Sequence, residues 1–190
     1  MEGEITAYRN AIDGFIYYAP TGEMDPRFGR YPVYRARGDD ARFTGVEGRV
    51  QWEPLRAWVV EATGSHVRGD LRGAEGNDPL PAIPPARGAL RIRRDVPRWF
   101  AEAGVESGAR QDRVHPGTAA DGTPLEAPTA GYTLLNASAG LRWDARGALH
   151  TLTLSADNLT DEVWRDHLSR IREVAPQPGL NLRLLYRVDF

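Results

Sequence analysis

From Leu180 to Phe190 the apolar residues Leu180, Leu182, Leu184, Tyr186, Val188 and Phe190 share one parity, while Asn181, Arg183, Arg187 and Asp189 share the other. An alternation of period two is the mark of a strand with one wet and one dry face. The same pattern recurs upstream. His150, Leu152, Leu154 and Ala156 oppose Thr151, Thr153, Ser155 and Asp157; Leu135, Ala137, Ala139, Leu141 and Trp143 oppose Asn136, Ser138 and Arg142. Trp99, Ala101, Ala103 and Val105 oppose Glu102 and Glu106, and Val46, Val50 and Trp52 oppose Glu47, Arg49 and Gln51. The pattern predicts eight strands, roughly 2–19, 30–53, 56–68, 86–95, 98–112, 130–144, 149–160 and 179–190, with almost no helix.

The connections between these strands alternate in kind. Short turns fall at 53–56, 94–98 and 144–148; long Gly- and Pro-rich connections fall at 20–29, 69–85, 113–129 and 161–178. If successive strands are antiparallel neighbours, the short turns share one end of the sheet and the long loops the other, as in a transmembrane β-barrel wall with short periplasmic turns and long extracellular loops. Trp52, Trp58, Trp99 and Trp143 all lie within a few residues of a short turn and on the apolar parity, and Tyr186 and Phe190 join them in the last strand. Aromatic rings at one level mark a membrane–water interface, so these six residues form the expected interface belt. The inward set Glu47, Arg49, Arg91, Arg93, Glu102, Glu106, Arg142, Arg183 and Arg187 carries full charges that can pair across strands. A soluble antiparallel sandwich shares the periodicity, but strands of this length exceed its usual five or six residues.

Composition narrows the function classes. A formal net charge of −2 over 190 residues, with 24 basic residues that are all Arg, gives no nucleic-acid footprint. There is no cysteine and no apolar run long enough for a transmembrane helix. A mean hydropathy of −0.49 remains compatible with a strand-built membrane protein. No Ser-His-Asp spacing, phosphate loop or HExxH is present, so no enzyme is expected.

Four stretches carry a resemblance: YRNAIDGFIYYAPTGE (8–23), YRARGDDARFTGVEGRVQWEP (34–54), LPAIPPARGAL (80–90) and SADNLTDEVWRDHLSRIREVAPQPGLNLRLLYRVDF (155–190). They resemble the C-terminal strands of a TonB-dependent outer-membrane receptor, with DDARFTGVEG, the Asn-Leu-Thr-Asp segment at 158–161 and the terminal Phe as the family marks. The resemblance implies that 1–190 is the C-terminal part of a larger plugged barrel, a fragment without independent transport, lacking plug, TonB box and signal peptide. It further implies the bacterial outer membrane, its lipid, the barrel-assembly machinery and the TonB system as setting and partners. Tyr186, Val188 and Phe190 match the family's C-terminal insertion signal. The segment at 167–179 resembles a subgroup that takes up zinc, haem or other iron compounds such as siderophores, so a metal or metal complex is the implied cargo, with no resident cofactor. A small eight-stranded barrel with a binding or structural role is the alternative, and a soluble sandwich binding module stands third.

Candidate chemistry is confined to the loops. His115 and His167, with Asp166 beside the latter, offer imidazole and carboxylate suited to zinc or haem iron, although the spacing closes no ligand set. Asn158 and Asp161 suit local backbone hydrogen bonds that end a strand and start a loop. Pro79, Pro81, Pro84 and Pro85 predict a stiff loop that returns to the wall.

Overall fold

The computed structural model describes residues 1–27, 32–72, 78–117, 124 and 126–190. Eight antiparallel strands run in chain order through one sheet: β1 (Glu2–Met24), β2 (Pro32–Trp52), β3 (Trp58–Leu71), β4 (Arg87–Val96), β5 (Trp99–Gly108), β6 (Tyr132–Ala145), β7 (Ala148–Asp157) and β8 (Asn181–Asp189). Each pairs with its sequence neighbours, and β1 and β8 are the two edges of the described sheet. The expected strands are all present. The expected start of the second, at 30, and parts of the expected loops at 20–29, 69–85 and 113–129 lie outside the described residues.

The register confirms the two faces. Leu184, Leu154, Ala139 and Ala101 are successive cross-strand partners, as are Tyr186, Leu152, Leu141 and Trp99. This apolar face is open: Leu141 is 58% exposed, Leu154 54% and Leu184 69%. No second sheet covers it among the described residues, so the sandwich alternative is not formed. Side chains this apolar and this uncovered need a nonaqueous neighbour.

The opposite face carries an ion-pair ladder. Arg49 Nε donates to Glu61 at 2.9 Å, Arg91 lies 3.5 Å from Glu61 and 3.2 Å from Glu102, and Arg93 joins Glu102 at 3.4 Å to Asp95 at 2.6 Å. Arg142 on β6 completes it at 2.7 Å from Asp95. On the same face three rings lie over glycines directly opposite: Tyr8 over Gly45, Phe100 over Gly140 and Tyr132 over Gly108. A Cβ at Gly140 would stand 2.2 Å from the Phe100 ring, so the pairing requires a residue without a side chain there.

The first strand departs from the simple parity. A bulge between Ile12 and Phe15, with Gly14 at φ 63° and its N–H donating to Asp40 Oδ1 at 3.0 Å, inserts a shift in the register. Beyond it Ile16 and Tyr18 are exposed while Tyr17 and Ala19 are buried. Pairing with β2 also carries β1 past the expected end at 19 to Met24. At 23 and 21 residues, β1 and β2 are about twice the 9–11 that a tilted strand needs to span a bilayer, so the hairpin projects beyond the apolar band at the long-loop end. There Tyr17, Ala19, Ala41 and Leu71 form a small core with Leu80 and Ile83 of the proline-rich connection. Gly69 admits that connection, since a Cβ on it would meet Ile83 Cδ1 at 2.6 Å. The expected return of the Pro79–Pro85 segment to the wall is therefore observed, on the face that carries the charges.

Candidate functional site

Three long connections, 72–86, 109–131 and 158–180, meet at the same end of the sheet. Their described residues are joined by buried polar contacts centred on Glu126. Its Oε1 accepts the N–H of Ala82 at 2.7 Å, and its Oε2 accepts the N–H of His115 at 2.8 Å. The His167 ring approaches from the third connection, with Nε2 3.3 Å from Oε1 and Nδ1 3.0 Å from Thr129 Oγ1. Glu126 is 5% exposed and His167 1%. The Nε2 approach is close without the alignment of a full hydrogen bond.

Burial pushes the Glu126 carboxyl upward, but the His167 ring and the two backbone N–H donors outweigh it, and the group is held below the ordinary glutamate value. A buried carboxylate that holds two backbone donors and a histidine ring from three connections acts as a clasp. Secondary ties reinforce it: Gln111 Nε2 donates to Ile83 O at 2.8 Å, Arg113 pairs with Asp70 and donates to Gly69 O at 2.9 Å, and Arg172 donates to the carbonyls of His167 and Ala127.

The entry and exit of the last connection are fixed by the Asn-Leu-Thr-Asp segment. Asn158, at φ 53°, accepts the Glu162 N–H at 2.9 Å and donates to Glu162 O at 2.9 Å and Pro178 O at 3.4 Å. Asp161 accepts the Leu180 N–H at 2.8 Å. Trp164, the one tryptophan away from the belt, rests on Tyr132 with ring centroids 4.3 Å apart.

The three proposed ligand residues are not drawn into one metal site. His167 is turned to Glu126 and Thr129; His115 gives its ring Nδ1–H to Pro79 O at 3.1 Å; Asp166 binds Arg87 at 2.7 Å. Among the described residues no group of three His, Asp or Glu side chains is placed to hold a metal ion. Asp166 is held by Arg87 on β4, a long-range partner invisible in local spacing. Glu126, Thr129, Arg113 and Arg172 were not singled out, since irregular Pro-rich segments carry no periodic signal.

At the short-turn end, Trp52, Trp58, Trp99, Trp143 and Tyr186 all sit on the apolar face, and Phe190 follows the end of β8 fully exposed. Trp143, His150 and Tyr186 stack across three strands, with adjacent ring centroids 5.5 and 5.9 Å apart. Arg94 lies between the next two rings, 5.4 Å from Trp58 and 5.2 Å from Trp99. Val188 faces His150 from β8.

Among solved structures the fold is similar to that of a chain described as copper transporter OprC, with a TM-score of 0.78 and 21% sequence identity. The similarity covers 99% of this chain and 28% of that one, so the chain spans little more than a quarter of that structure's length, and the likeness speaks for fold alone. No curated protein matches. A family described as TonB dependent receptor-like, beta-barrel, matches residues 2–159. With its apolar face, aromatic belt and alternating turn lengths all on that plan, the chain belongs to the TonB-dependent receptor β-barrel family.

Proposed function

We propose that this chain is a wall segment, with its extracellular cap, of a bacterial outer-membrane receptor that takes up a metal or metal complex by TonB-dependent transport. The open apolar face is the observation that carries this reading, because it extends from β3 to β8 and ends in a row of aromatic rings at the short-turn end. The charged face then looks toward the lumen, where a plug and a cargo would lie, and family membership points to transport rather than catalysis. A metal cargo is supported by the fold's likeness to a copper transporter and by the sequence features at 167–179; iron–siderophore, haem and zinc are the other members of the class. His115, His167 and Asp166 enter as parts of the loop cap, at the end of the wall where a cargo would arrive. Energy input from the TonB system would come through the remaining parts of such a receptor. Tyr186, Val188 and Phe190 would serve the barrel-assembly machinery as an insertion signal, which fits their shared apolar face at a sheet edge.

Fractionation of source cells tests the setting. An antibody to 161–178 should find an outer-membrane band that shifts on boiling; a band confined to the soluble fraction overturns the membrane reading. Loss of uptake of one metal, out of iron, haem, zinc and copper supplied singly to a deletion strain, identifies the cargo. Unchanged uptake of all four overturns the cargo class.

A further inference from the structure

The apolar face carries an arginine where lipid is expected. Arg94 shares that face with Ile92, Leu90 and Val96, and its cross-strand partners are Trp58 and Ala101. Its guanidinium is held between Trp58 and Trp99 at 5.4 and 5.2 Å, close enough for both rings to attract it through their π faces. No carboxylate pairs with it among the described residues. The acid next to it in sequence, Asp95, points to the opposite face, where Arg93 and Arg142 bind it at 2.6 and 2.7 Å. Arg68, on the same apolar face but at the long-loop end, differs: it has a carboxylate partner, Asp70, at 3.0 Å, which it shares with Arg113.

The donors around Arg94 also lack acceptors. Neither the Trp58 nor the Trp99 indole N–H has a hydrogen-bond partner among the described residues, and a guanidinium clamped by its faces leaves its edge N–H groups free to point outward. Two indole donors and a cation fork in one row, at the level of an aromatic belt, make a surface short of both negative charge and acceptors. A phosphodiester supplies both, and its planar fork contact with a guanidinium is the strongest form of that recognition.

We propose that Trp58, Arg94 and Trp99 form a headgroup site for a net-anionic glycerophospholipid, of the phosphatidylglycerol type, in the leaflet at the short-turn end. The site rests on the membrane reading above. The acyl chains lie along Leu90, Ile92 and Val60, the phosphate meets the Arg94 fork, and the two tryptophans fix the fork's orientation. The lipid carries net charge because the site offers an uncompensated cation, and a zwitterionic headgroup would bring its own ammonium to that cation.

The test is native mass spectrometry of the full natural chain, extracted in detergent and mixed with equal phosphatidylglycerol and phosphatidylcholine. Wild type is expected to retain phosphatidylglycerol about fivefold over phosphatidylcholine at its tightest site, the selectivity that one interfacial arginine supplies. Arg94→Gln should remove the preference, and Arg146→Gln, in a turn with no aromatic contact among the described residues, should keep it. Trp99→Leu, which leaves the charge in place, should weaken the preference, so the site can be tested even if Arg94→Gln does not fold. A wild type without preference, or an Arg94→Gln chain that folds and keeps it, overturns the proposal. Displacement of the lipid by inorganic phosphate alone also overturns it, since the site would then take a free anion. The boiling shift of the same samples is read separately: its absence in wild type overturns the membrane reading, whereas its presence without lipid preference overturns only this site.

Discussion

The wall and the loop cap of this chain are built on opposite principles. In the wall, the backbone ladder satisfies the polar main chain and side chains merely choose a face, so any single pair on the charged side is replaceable. In the cap, irregular segments have no ladder, and their N–H groups depend on individual side chains: Glu126 alone satisfies Ala82 and His115 and holds His167. Polarity is spread out in one region and concentrated in the other. The difference teaches where a substitution will be felt.

Glu126→Ala should break the comparison most sharply. It leaves two buried N–H donors without their acceptor and the His167 ring without its neighbouring carboxylate, at a cost of about 3–5 kcal/mol to the cap. Limited proteolysis should then cut within 78–86 and 109–117 while the boiling shift of the wall persists; a cap that stays resistant would refute the clasp. Acid should act on the same contacts more mildly. Because the folded-state pKa of Glu126 is lowered, its stabilisation is complete above the ordinary glutamate value and is lost as pH falls through the lowered one. Protease sensitivity of the cap should therefore be flat around neutrality and rise only under distinctly acidic conditions, reversibly.

In the wall, Gly140→Ala should cost about 1–3 kcal/mol, because the new Cβ collides with the Phe100 ring that Arg93 and Arg142 also cover. Thermal unfolding followed by tryptophan fluorescence reads this directly. Arg91→Gln should be the smallest effect, about 0.2–1 kcal/mol, since Arg91 is half exposed and its partner Glu61 keeps Arg49 and Glu102 keeps Arg93. A large loss there would mean that the ladder, like the cap, depends on a single link.

The wall was legible in the sequence because period two survives translation into register: the parity assigned to Leu154 or Trp143 is the face each occupies. Even the common level of Trp58, Trp99 and Trp143 could be placed, since short turns announce one end of the sheet. What escaped notice lies where partners are distant or geometry is local and unusual. The Gly14 bulge inverts the faces of β1 beyond Ile12 without changing its composition. The ring-over-glycine pairs join residues such as Phe100 and Gly140, whose kinship is set by register alone. In the cap, Asn158 and Asp161 were readable because their side-chain bonds stay within one connection, whereas Glu126 bonds residues 44 and 11 positions away and had no local sign.

The Arg146–Gly147 turn, with both residues at positive φ, joins β6 to β7 with no slack. Closing so short a loop costs little chain entropy, while closing 109–131 or 158–180 costs more. The hairpins β2–β3, β4–β5 and β6–β7 are therefore the first units that can assemble, and the long connections join them afterwards. Glu126, which requires three such connections to be in place at once, is the last to be satisfied. On loop-closure entropy alone, assembly runs from the short-turn rim to the cap, so one end of the sheet is fixed before the other has taken shape.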